Sequence, residues 1–195
     1  MSQAFPADVS VGLIAMAAKP AHSGHFGLIT GAAKQNDHVI VYVSTSDRKR
    51  KGQIPISGAD MEHIWRTHLE GIMPGNVEVE YGGSPVFKIY DQLGTENERF
   101  EAGDEDVAVY TVYSDPEDLA KNFPEKSRQK YLPTLWEEGY VKFQEITRAS
   151  TVDVSGTKMR EMLANGDAEQ FKKFLPDPLS DDARAEIWEI LAKNA

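Results

Sequence analysis

A strand, a helix and a second strand follow one another between residues 9 and 46, and few folds accommodate that order. "VSVGLIAMAA" (9 to 18) is a near-continuous apolar run, as a strand buried on both faces requires. "HFGLITGAAKQ" (25 to 35) then carries Phe26, Leu28, Ile29, Ala32 and Ala33 at helical spacing, and "DHVIVYVSTS" (37 to 46) is a Val/Ile-rich strand. Two parallel strands joined by a helix call for a right-handed crossover and a sheet covered by helices on both faces.

The alternation continues along the chain. "SGADMEHIWRTHLEGIM" (57 to 73) reads as a helix capped by Ser57, with Met61, Ile64, Trp65, Leu69 and Ile72 on one face. "VEVEY" (77 to 81) alternates like a short edge strand. "SPVFKIYDQLG" (84 to 94) is a helix with Pro85 at its start, "EDVAVYTVYS" (105 to 114) a strand, "DPEDLAKNF" (115 to 123) a short helix and "YVKFQEITRA" (140 to 149) the last strand. The stretch 124 to 139 reads equally as a helix or as an ordered loop. From Ser155 onward the pieces are helical, broken at Gly166 and Pro176, with Ser180 capping the last. No repeat and no linker interrupts this pattern. The expectation is one α/β domain over 1–195: a core over 8–165 with about five mainly parallel strands, then a helical tail over 166–195.

Charge and cysteine content narrow the function. With 21 Lys and Arg against 31 Asp and Glu the net charge is -10, which argues against a general nucleic-acid-binding surface. The basic "DRKRKG" (47 to 52) stands out, either as a solvated loop or as a contact for a small phosphorylated ligand. The acidic residues of 101 to 106 read as a solvated loop. The chain has no cysteine, so disulfides, thiolate zinc sites and a Cys nucleophile are excluded. No apolar run reaches the roughly 20 residues that span a bilayer, and the N-terminal stretch lacks the basic start of a signal peptide. A cytoplasmic protein without membrane contact is expected.

Two segments carry chemistry. "KPAHSGH" (19 to 25) follows the first strand, so His22 and His25 fall at a helix start, where backbone N–H groups favour anions. Gly24 would let a ligand approach the backbone closely. Taken alone, the pair reads as ordinary helix-start residues, as a metal pair lacking a third ligand of suitable spacing, or as a phosphate cradle. The second segment, "VSGTKMR" (154 to 160), places Ser155, Gly156 and Thr157 at a helix start with Arg160 one turn inside. Alone it is equally a plain N-cap beside an exposed arginine. His63 and His68 read as structural or surface residues, and Trp65, Trp136 and Trp188 as packing.

Together, HxGH at 22 to 25 and VSGTxxR at 154 to 160, in a βαβ chain, resemble the nucleotidylyltransferase superfamily. Its two motifs are (H/T)xGH and ISSTxxR or ISGTxxR. The likeness covers most of the chain and is nearest to small bacterial and phage-encoded cytidylyl/adenylyltransferase-like members. It implies a Rossmann-like domain in the cytoplasm of a bacterial or phage-infected cell. The implied reaction transfers a nucleoside monophosphate from ATP or CTP to a phosphorylated small-molecule acceptor, with Mg²⁺ carried mainly on the nucleotide phosphates. His22, His25, Lys19 and Arg160 are the implied catalytic set, and Gly24, Ser155, Gly156, Thr157 and Asp115 the nucleotide- and phosphate-binding set. Arg48, Lys49 and Lys51 are candidates for the acceptor phosphate, and no residue is assigned to a metal. A homo-oligomer stays open. Two departures stand out. Lys19 replaces the usual Asp, Asn or Gln before Pro20, which supplies an extra phosphate contact or marks altered chemistry. "YSDPED" after the fourth strand has no glycine. These departures motivate the alternative of a catalytically inactive nucleotide-binding or virion-associated structural protein.

Overall fold

A computed structural model describes residues 2–146 and 154–194. Five strands, β1 (Ser10–Met16), β2 (His38–Val43), β3 (Val77–Tyr81), β4 (Val109–Ser114) and β5 (Val141–Glu145), form one sheet in the order β3-β2-β1-β4-β5. Every neighbouring pair is parallel. The fold is α/β and Rossmann-like, with the apolar β1 in the middle of the sheet as its sequence requires. Residues 147–149 of the sequence-expected last strand lie outside the described residues.

Strand alternation feeds two cores. On one face Ile14 and Met16 of β1 and Val39, Val41 and Val43 of β2 pack with α1 (Ser23–Gln35) and α2 (Gly58–Ile64). On the other face Val11 and Leu13 join Ile40, Tyr42, Tyr110 and Val112 under α3 (Pro85–Glu101), α4 (Pro116–Asn122), α5 (Glu125–Tyr131) and α6 (Pro133–Glu137). The stretch 124 to 139, open between helix and loop in the sequence, is thus two short helices divided around Leu132, which is buried.

Three results depart from the simple pattern. The helix after Ser57 is α-helical only to Ile64; it continues as a π-helix over Trp65–Leu69 and a 3-10 turn over Glu70–Ile72. The π-helical segment keeps Trp65 and Leu69 both buried. The helix α3 runs seven residues past the sequence expectation of 94, to Glu101, because Glu96 and Asn97 are buried with partners. Asn97 Oδ1 accepts the N–H of Thr134 and Leu135 (3.0 and 2.9 Å), and Glu96 pairs with Arg99. Finally α7 (Gly156–Asn165), α8 (Ala168–Lys173) and α9 (Asp181–Ala192) do not trail from the domain: Phe171, Leu175, Ile187 and Leu191 are buried in the same core as β1 and β2. His68 Nε2 meets Glu186 of α9 at 3.0 Å, and Trp188 packs edge-on against Phe171. No helix among the described residues is long and apolar enough to cross a membrane.

Candidate active site

The strand order reverses between β1 and β4, since β1 leads to β2 on one side while β4 lies on the other. Crevices open beyond the carboxyl ends of strands at such a point. A cavity of about 300 Å³ lies there, lined by Ala15 and Met16 at the end of β1, Ala17 and Ala18 after it, and Tyr113 and Ser114 of β4. Into its walls the fold brings Lys19, His22, Gly24, His25, Arg48, Asp115, Gly156 and Arg160.

The two histidines build the start of α1. His22 is the N-cap: its Nδ1 accepts the Gly24 N–H at 3.1 Å, while its own N–H donates to His25 Nδ1 at 3.1 Å. Each Nδ1 therefore acts as acceptor, which places the ring proton on Nε2. The rings stack with centroids 3.9 Å apart and planes inclined at 32°. Gly24 has a reason beyond ligand approach, because a Cβ there would stand 2.8 Å from His22 Cε1. The helix start is also tied to the C-terminal helices, as the Ser23 N–H donates to the Phe174 carbonyl at 2.8 Å.

Three cations line the same cavity. Lys19, which follows Ala18 at a φ of 48°, is buried, and its Nζ donates to the carbonyls of Ala17 (3.0 Å) and Ser44 (2.5 Å). Burial pulls its pKa down to about 8, against a weaker upward pull from Asp47. The Lys19 carbonyl accepts from Arg160 Nη1 at 2.8 Å, and Arg160 Nη2 donates to Thr157 Oγ1 at 3.2 Å. This bond joins the two sequence segments across 141 residues. Burial, then the charges of Arg48 and Arg50, lowers the Arg160 pKa. Arg48 sits at the base of a turn closed by paired backbone bonds to Ile56 (2.8 and 3.0 Å), and its Nη2 donates to Gln53 Oε1 at 3.1 Å. Among the described residues none of these three cations has a carboxylate within ion-pair distance. The Nε of Arg48 and of Arg160 is buried without a hydrogen-bond partner.

The remaining candidates divide. Ser155 caps α7, accepting the Lys158 N–H at 3.2 Å, and Gly156 faces the cavity; a Cβ on Gly156 would meet Arg160 Nη1 at 2.9 Å. Thr157 touches the cavity's chemistry through Arg160 rather than by lining it. Asp115 caps α4, accepting the Asp118 N–H at 2.8 Å. Lys49 pairs with Asp47 at 3.2 Å, and neither it nor the exposed Lys51 reaches the cavity wall. Sequence reasoning did not find Asp118, which lines the cavity and whose pKa is raised by burial and then by Asp115. Its signal was the last acidic position of "DPED". Gly58 was also missed: its N–H donates to Asp47 Oδ1 at 2.9 Å, and any Cβ would collide with the Thr45 carbonyl.

No family model and no curated protein matches the sequence. Solved structures do match the fold. A Vibrio parahaemolyticus protein described as a nicotinate-nucleotide adenylyltransferase aligns over 93% of this chain and 99% of its own, at 13% identity and a TM-score of 0.52. A bifunctional NMN adenylyltransferase/ADP ribose pyrophosphatase from Francisella tularensis aligns over 95% of this chain at 17% identity and a TM-score of 0.53. The same Francisella protein complexed with AMP and a manganese ion gives 13% identity and a TM-score of 0.54. The chain spans about half the length of the Francisella protein, 52% in both structures. The cavity at the switch point thus belongs to a chain with the fold of the nucleotidylyltransferases.

Proposed function

We propose that the protein is a nucleotidylyltransferase that moves a nucleoside monophosphate from an NTP to a phosphorylated small-molecule acceptor. The observation that carries this reading is the set of buried or half-buried cations, Lys19, Arg48 and Arg160, left without carboxylate partners beside two helix starts. Buried charge is costly unless something of opposite sign meets it, and a chain of net charge -10 does not strand three cations in one cavity without use. A polyphosphate supplies the missing charge.

The acceptor's phosphate oxygen forms a bond to the α-phosphorus as the bond from that phosphorus to the β-bridging oxygen breaks, and pyrophosphate leaves. The nucleophile is already ionised, so the chain's work is positioning and charge stabilisation. His22 and His25 donate from Nε2 to oxygens around the α-phosphorus. Arg160 and the α7 start hold the departing pyrophosphate, and Arg48 holds the acceptor phosphate. Asp115 and Asp118 at the end of β4 face the nucleoside. The described residues hold no cluster of three potential metal ligands. A divalent ion would ride on the triphosphate and screen its charge, and Asp115 and Asp118, carboxylates lining the cavity, would accept hydrogen bonds from its waters. The relatives of shared fold are described as adenylyltransferases, which supports ATP as the donor.

The test measures pyrophosphate release with Mg²⁺, each NTP and a panel of phosphorylated acceptors. The wild type turns over one pair, and His25→Ala loses about 100-fold or more in kcat. Binding of nucleotide without turnover of any pair would instead support the inactive nucleotide-binding or virion-associated alternative.

A further inference from the structure

Lys19 stands in a position that no ligand-contact role explains by itself. Its ammonium is drawn back into the sheet, where it bridges the Ala17 carbonyl after β1 and the Ser44 carbonyl after β2. Its backbone carbonyl, meanwhile, is the acceptor that fixes the Arg160 guanidinium. One residue therefore clamps the ends of two adjacent strands and aims the arginine that reaches the cavity from α7. We propose that Lys19 is a positioning residue: its clamp holds Arg160 in place, and its charge sets how tightly the cavity binds a nucleoside triphosphate.

This rests on the reading of the cavity as a triphosphate site. Two of the three ammonium protons are taken by carbonyls, and the third has no acceptor among the described residues. A deprotonated Lys19 still donates to both carbonyls, so the clamp survives while the charge disappears. Clamp and charge are thereby separable by pH. Lys19 is protonated below about 8 and neutral above it. The charged and titratable groups around it are Asp47 and Arg48 from the loop after β2, Arg160 from α7, His22 and His25 at the start of α1, Asp115 after β4 and Asp118 of α4. An NTP's terminal phosphate, with its second pKa near 6, is already ionised above pH 7.5, so the ligand adds no step in that window.

The experiment measures Kd for ATP and for CTP by calorimetry from pH 6.5 to 9.5 on wild type, Lys19→Arg and Lys19→Met. Wild type is expected to weaken by about tenfold as pH rises through 8, because one charge facing the phosphates is lost. Lys19→Arg stays charged throughout, and the weakening should vanish. Lys19→Met should bind at least tenfold more weakly at pH 7 and show no step. A wild-type affinity that is flat across pH 8, or a step that persists unchanged in Lys19→Arg, overturns the proposal even if ATP binds well. Failure of wild type to bind either nucleotide at any pH overturns it together with the triphosphate reading. Should Lys19→Met not fold, the comparison of wild type with Lys19→Arg decides alone.

Discussion

Gly156 and Gly24 carry more of the site than any charged side chain except Arg160. Each lacks a Cβ because a neighbouring ring or guanidinium occupies its place, His22 over Gly24 and Arg160 over Gly156. Gly156→Ala should push the guanidinium off the Lys19 carbonyl and weaken NTP binding roughly tenfold or more, with little change in thermal stability. Calorimetry against melting temperature separates the two effects. The two segments that meet in the cavity were legible in the sequence, because their His, Gly, Ser, Thr and Arg side chains stand in short local runs. The role of Lys19 was not legible. Its partners are the backbone carbonyls of Ala17 and Ser44 and the side chain of Arg160, and a carbonyl has no letter in a sequence. Nor did the basic "DRKRKG" show which cation turns inward; the Arg48–Ile56 pairing decides that.

Among the elements, the capped starts were the best-read features. Ser57, Ser155 and Ser180, each readable as a cap, accept an N–H from the first turn of their helix, and Ser84 and Asp115, not read as caps in the sequence, do the same. Helix ends were read less well. The end of α3 depends on the bonds of Asn97 to Thr134 and Leu135 in α6, and the π-helix after α2 depends on burying both Trp65 and Leu69. Among the glycines, the one that starts α2 leaves the least room for a side chain. That residue, Gly58, packs directly on the Thr45 backbone, so Gly58→Ala forces the whole helix to move. A loss of about 3 kcal/mol or more is expected, read as a lowered urea midpoint.

Over the whole molecule, the C-terminal helices belong to the same core as α1, β1 and β2 on one face of the sheet. Arg184 of α9 donates to the carbonyls of Lys172, Pro176, Asp177 and Leu179, closing the loop between α8 and α9. That same loop region supplies the Phe174 carbonyl to the start of α1. Arg184→Met should therefore cost about 2–4 kcal/mol of stability in urea unfolding, and also raise the KM for the NTP, although residue 184 does not line the cavity. The two-sided burial of β1 and β2 made the layered architecture readable, while the docking of α8 and α9 was not, since it depends on which face of the sheet they cover.

The bond between Arg160 and the Lys19 carbonyl has a consequence in time as well as in space. The loop after β1 is synthesised 141 residues before its holding partner Arg160, and Phe174 follows later still. A nascent chain that ends before residue 174 holds the sequence of β1 to β4 but lacks one or both of these bonds, so on the reading proposed above it would not capture nucleotide.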